Sequence, residues 1–129
     1  VNDLFNLFFT KKKQQKLFNK FYLNLQEIHT IKNMGMKIGA HSHSHFMMTS
    51  LNKKNLIKEI DTFKKFLVKN KLRTNLFSYP YGFKGSYNSA TNNLLLKKNF
   101  RELFVVKNPN QKNQKNMISR LNCNYFKHG

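Results

Sequence analysis

The sequence predicts an α/β domain in which parallel strands alternate with helices. Three observations carry that expectation. Apolar residues recur at helical spacing in separate stretches, short apolar runs without that spacing lie between them, and glycine, proline or polar clusters close most of the runs. The resulting order, helix, strand, helix, strand, helix, strand, is the rhythm of a parallel α/β architecture. At 129 residues the chain fits a single domain, 1–129, with enough length to bury a core.

Each element follows from its residues. From Lys12 to Met34, Phe18, Phe21, Leu25, Ile28 and Ile31 return every three or four positions, which predicts one amphipathic helix with Gly35 placed to end it. MKIGA at 36–40 is a short strand. A second helical stripe, Leu56, Ile60, Phe63 and Leu67, runs through residues 51–70, with Ser50 or Asn52 as N-cap. NLFSY at 75–79 is a strand that Pro80 and Gly82 bring to a stop. A third helix is expected over 89–99 with Leu94, Leu95 and Leu96 turned inward, then ELFVV at 102–106 as a buried strand. The polar stretch KNPNQKNQKNM, 107–117, reads as loop, and no internal repeat is present.

Composition bounds the function classes. A formal charge of +19 points toward phosphate-rich partners or anionic surfaces, yet 21 of the 24 basic residues are Lys and Asn occurs 19 times. Lys and Asn have AT-rich codons, so part of that charge is compositional background. Arg, the residue that reads bases and phosphates bidentately, occurs only at Arg73, Arg101 and Arg120, which argues against sequence-specific nucleic-acid recognition. Cys123 is the single cysteine, so neither an intrachain disulfide nor a CxxC metal knuckle can form, and a reducing, cytoplasmic setting is expected. No apolar run reaches the ~18 residues of a membrane span. The opening VNDLFNLFFTKKKQQK sets its apolar stretch before its charges, the reverse of a secretory signal, and starts with Val rather than Met.

Two short segments carry chemistry. IGAHSHSH, 38–45, puts His41, His43 and His45 directly after a predicted strand, and SYPYG, 78–82, follows the next one. In parallel α/β folds ligands gather beyond the carboxyl ends of strands, so both segments could face one pocket. A turn can aim His41 and His45, four apart, at one divalent ion such as Zn²⁺, with His43 as a neighbour; a fully extended segment would instead put all three on one face. A solvated loop that binds nothing is the plain alternative for the histidines, and a simple turn is the plain alternative for Pro80-Tyr81-Gly82.

Taken together, these segments resemble two motifs of the polysaccharide deacetylase family, the NodB-homology carbohydrate esterases. The first is IGxH[ST]xxH, here Ile38 to His45, and the second is close to F[RSA]xPYG, here Phe77 to Gly82. The resemblance covers roughly residues 22–106. It implies a partial distorted (β/α) barrel and metal-dependent hydrolysis of a non-peptide C–N bond, the N-acetyl (or O-acetyl) group of a sugar or polysaccharide. It further implies His41 and His45 as ligands of a divalent metal, expected to be Zn²⁺, Pro80, Tyr81 and Gly82 beside an acetylated carbohydrate substrate, and a backbone contact from Tyr81 to the oxyanion.

The family pattern is incomplete in this chain. Ser78 stands where many members carry Arg, and only His128, near the end, is a candidate for the family's Leu-x-His motif. The Asp-Asp motif that supplies a base and a third metal ligand has no match among Asp3, Glu27, Glu59, Asp61 and Glu102. Asp3 precedes His41 by 38 residues with no strand before it and is not assigned as base. The expectation is a domain truncated at its N-terminus and inactive alone. The competing class is a small basic protein that binds nucleic acid or an anionic surface and has no enzymatic activity.

Overall fold

The computed structural model describes residues 6–106 and 115–121. The chain divides into two compact units, Val1–Lys37 and Ile38–Gly129. In the first, the single helix expected over 12–34 is two helices, α1 (Lys11–Phe21) and α2 (Leu25–Asn33). The break has a local cause. Asn24 accepts the Glu27 N–H at 3.0 Å while the Glu27 carboxylate accepts the Asn24 N–H at 2.7 Å, a capping box that starts a new helix within the apolar stripe. Gly35 ends α2 as expected: at φ +91° its N–H bonds the Lys32 carbonyl and the Met36 N–H bonds that of Ile31, the paired bonds of a Schellman motif. No residue of either helix is buried.

The second unit is built on a parallel sheet. Its strands are β1 (Leu76–Ser78), β2 (Glu102–Val106) and β3 (Met117–Arg120), in the order β1-β2-β3 with both pairings parallel. MKIGA, expected as a strand, contributes a single parallel bridge from Ala40 to Phe77 on the free side of β1. Gly39 explains part of this, since it offers no side chain to pack and lies against Leu76, where a Cβ would stand 3.3 Å from that residue's own Cβ. β3 begins at Met117, the last residue of the expected loop, and runs on through residues for which no element is expected; residues 107–114 lie outside the described ones.

Helix α3 (Lys53–Lys69) matches its expectation. Leu56, Ile60, Phe63 and Leu67 are buried, and of the two candidate N-caps it is Asn52 whose side chain accepts the Asn55 N–H. Helix α4 (Ser89–Lys97) corrects one detail: only Leu95 of the three consecutive leucines is fully buried. Three successive residues sweep about 200° of helix and cannot share one face. Phe63 of α3 lies 5.6 Å from Phe77 of β1 and 5.5 Å from Phe100, ring centre to ring centre. Tyr79, just past β1, donates to Asn92 of α4 at 2.7 Å. Phe77 and Tyr79 alternate onto one side of the chain, so both helices cover the same face of the sheet. The described sheet has three strands and does not close on itself, so the architecture is α/β with parallel strands and sequential order.

Candidate active site beside the end of β1

Ala40 and β1 end side by side, and the two motif loops leave from them. The Ala40 N–H bonds the Leu76 carbonyl at 2.9 Å and the Ser78 N–H bonds the Ala40 carbonyl at 2.8 Å, which sets His41 next to the end of β1. His41 then reaches across: its Nδ1 lies 2.7 Å from the Ser78 carbonyl oxygen. A carbonyl can only accept, so Nδ1 carries the proton, and in the neutral ring the lone pair is left on Nε2. That is the arrangement by which a second partner fixes the tautomer and orientation of a metal-ligating histidine.

His45 is brought back to His41 by a tight turn. Ser42 and His45 both sit in the left-handed region, at φ +64° and +58°, and the Ser42 hydroxyl oxygen accepts the His45 N–H at 3.0 Å. The two imidazoles meet edge to face with ring centres 5.0 Å apart. Their other neighbour is Tyr81, whose ring centre is 5.2 Å from that of His45. His43 has no ring contact with this cluster among the described residues. The turn therefore favours the pairing of His41 with His45 over the extended arrangement with three histidines on one face.

The PYG loop is held differently. Pro80 and Gly82 are buried while Tyr81 is half exposed and at φ +63°. Of the three residues expected beside substrate, Tyr81 is thus the one that presents its side chain outward. Gly82, at φ +73°, donates to the Pro80 carbonyl at 2.7 Å and accepts from the Val106 N–H at 2.8 Å. A Cβ there would stand 2.9 Å from Arg120 Nη2 and 3.1 Å from the Val106 nitrogen. Arg120, from β3, directs Nη2 at the Tyr79 and Tyr81 carbonyls, 3.4 Å from each. Beneath the loop Tyr79 is fully buried, and burial pushes its hydroxyl far above the usual tyrosine range, so it stays a neutral donor.

Two residues of this site escape sequence reasoning. Arg120 carries no local signal, because its role depends on β3 pairing with β2. Glu59 did have one: it falls on the inward stripe of α3 between Leu56 and Ile60, where a carboxylate needs hydrogen-bond donors. It finds them in the His43 and Ser44 N–H groups.

The described residues hold no cluster of three or more His, Cys, Asp or Glu side chains able to hold a metal. His41 and His45 supply two imidazole donors suited to Zn²⁺, and no third ligand joins them among the described residues. Asp3 and His128 lie outside the described residues. A sequence model of the family described as Polysaccharide deacetylase matches residues 6–103, a span that takes in both motif loops. The chain belongs to the polysaccharide deacetylase family. Neither a curated protein nor a solved structure matches the chain.

Membership sets the reaction class at family level, carbohydrate deacetylation, and with it a carbohydrate substrate. The two motif loops lie beyond the carboxyl end of β1 and of the Ala40 bridge paired with it, where ligands gather in parallel α/β folds. No described helix is long and apolar enough to cross a membrane. Neither fold nor match supports the alternative of a basic binding protein.

Proposed function

We propose that this deacetylase acts with a divalent metal, Zn²⁺ or a close relative, held in part by Nε2 of His41 and by His45, to remove the acetyl group from an N-acetylated sugar. The observation that carries the reading is the histidine pair, 5.0 Å between ring centres, with Nδ1 of His41 engaged by the Ser78 carbonyl. When bound, such an ion polarises the acetyl carbonyl and acidifies water. The chain's own residues supply the rest. The Ser78 carbonyl holds the His41 proton on Nδ1, and Tyr81 closes the other side of His45.

The Tyr81 N–H donates to no acceptor among the described residues, so it is available to meet the oxyanion that develops on the acetyl oxygen. His43 is exposed, makes no ring contact with this cluster among the described residues, and has no part in the reaction in this reading. The general base and the remaining metal ligands are not among the described residues near the pair; an Asp-Asp segment preceding these residues in the gene product would provide both. The sheet, in this reading, is an arc of the family's distorted (β/α) barrel.

Acetate release from acetylated chito-oligosaccharides in the presence of Zn²⁺ tests the reading. The 129-residue chain alone is expected to release none above background, since general-base assistance is worth about 10²–10⁴-fold. If the coding DNA continues upstream into a strand ending in Asp-Asp, the chain extended by that segment should release acetate, and His41→Ala in it should abolish release. An extended chain that binds Zn²⁺ and hydrolyses no acetylated sugar overturns the activity. Robust release by the 129-residue chain, lost on Asp3→Asn, would make Asp3 the base.

A further inference from the structure

The turn that pairs His41 with His45 does not follow from its own sequence. An extended run would put their Cα atoms about 13 Å apart. Folding it back requires left-handed backbone at Ser42 and at His45, a conformation residues with a Cβ avoid. Within the loop the Ser42 hydroxyl holds one end of the turn by accepting the His45 N–H. The middle of the turn is held from outside it. The N–H groups of His43 and Ser44 both donate to Oε1 of Glu59, at 2.7 and 2.5 Å.

Glu59 is an unusual occupant of its position. It is 8% exposed, on the inward stripe of α3 with Leu56, Ile60 and Phe63. The ion pair recorded on this helix belongs to Asp61, which meets Lys98, and no Lys or Arg is paired with Glu59 among the described residues. An apolar side chain would suit the stripe, and a carboxylate withdrawn from water is unfavourable unless its oxygens are hydrogen-bonded. The compensating donors come from the loop between the two paired histidines, and bonds from N–H groups to an ionised carboxylate are about twice as strong as neutral ones.

We propose that Glu59 is a positioning residue for the histidine pair: its carboxylate clamps the backbone at His43 and Ser44 and so sets the approach of His45 to His41. The inference rests on the reading of those two histidines as metal ligands. Glu59 touches neither ring; it acts through the backbone between them. One helix thereby serves the core with its apolar residues and the site with the carboxylate one turn from Leu56 and Phe63.

The test uses the full chain as wild type, Glu59→Gln, Glu59→Ala and, as a control on the same helix, Asp61→Asn. Amide hydrogen exchange is measured residue by residue without metal, and Zn²⁺ binding by calorimetry. Glu59→Ala should speed exchange at His43 and Ser44 by roughly tenfold or more while leaving the amides of β2 unchanged. Its Zn²⁺ affinity should fall by about tenfold, the lower end of what removing a group behind a metal ligand costs. Glu59→Gln keeps an acceptor oxygen and should show smaller changes in the same direction at the same two amides, which also decides the matter if Glu59→Ala does not fold. Asp61→Asn should move neither readout.

Wild-type exchange at His43 and Ser44 in both Glu59 variants overturns the clamp, as does faster exchange spread evenly through the core. Local loosening with unchanged Zn²⁺ affinity overturns the link to the histidine pair. A wild-type chain that binds no Zn²⁺, with exchange at these two amides still governed by Glu59, removes the metal reading and leaves the clamp.

Discussion

The two motif loops leave side by side, one from the Ala40 bridge and one from the end of β1, and meet at the His45 and Tyr81 rings, yet they are stabilised in opposite ways. The PYG loop is set by packing: Pro80 and Gly82 are buried, Tyr79 lies fully buried under them, and Arg120 and Val106 close on Gly82. The HSHSH loop has all three histidines exposed and is held by hydrogen bonds to Ser78, Ser42 and Glu59. Just past the two loops, Thr49 Oγ1 donates to the Gly85 carbonyl at 2.7 Å. The difference teaches how a site divides rigidity from access. A loop that presents a backbone N–H can be buried nearly to its tip, whereas one that presents imidazole nitrogens has to leave them in reach of solvent and fix its shape through the main chain.

That contrast makes substitutions in the two loops differ in kind. Gly82→Ala should have the largest effect on stability, about 3 kcal/mol, combining left-handed strain with a Cβ pressed on Arg120 and the Val106 nitrogen. Urea unfolding would measure it, and a loss under 1 kcal/mol would mean that the loop is not packed as described. Tyr79→Phe comes next, at roughly 1–2 kcal/mol, because it removes the donor to Asn92 and leaves that oxygen without its partner.

Tyr79 also predicts a pH dependence. Its hydroxyl is held well above the ordinary tyrosine value by burial, so between about pH 10 and its own titration the folded chain keeps a proton that the unfolded chain gives up. Stability should therefore be complete below about pH 10 and fall as pH rises beyond it. Tyr79→Phe should flatten that fall, and an unchanged slope would contradict the burial of this hydroxyl. Smallest of all is His43→Ala, an exposed side chain in the loop held by its backbone, expected within about 0.5 kcal/mol of wild type in the same unfolding experiment.

How much of this was legible in the sequence follows the range of the forces involved. Helix α3 was, because its stripe recurs from Leu56 to Leu67 along a 17-residue helix and every apolar member of it is buried. That the HSHSH and PYG segments come together was legible from their spacing along the chain, although the strand expected before the histidines is only a bridge at Ala40. The division of the first helix was not, since the side-chain cap at Asn24 outweighs a continuous apolar period. β3 and Arg120 were not, because a four-residue strand is specified by pairing with β2 rather than by its own pattern. Glu59 sat in view on the apolar stripe of α3, but the loop that satisfies it lies 15 and 16 residues away along the chain.

The central claim is that His41 and His45 form the metal-binding pair and His43 stands apart. Zn²⁺ titration of the wild type and the three single alanine variants by calorimetry tests it most directly. The account predicts that His41→Ala and His45→Ala each weaken binding by at least about 10–100-fold, the range already reached by removing groups behind a ligand. His43→Ala should stay within about threefold of wild type. Equal losses for all three would contradict the pair and favour an extended loop with three histidines on one face.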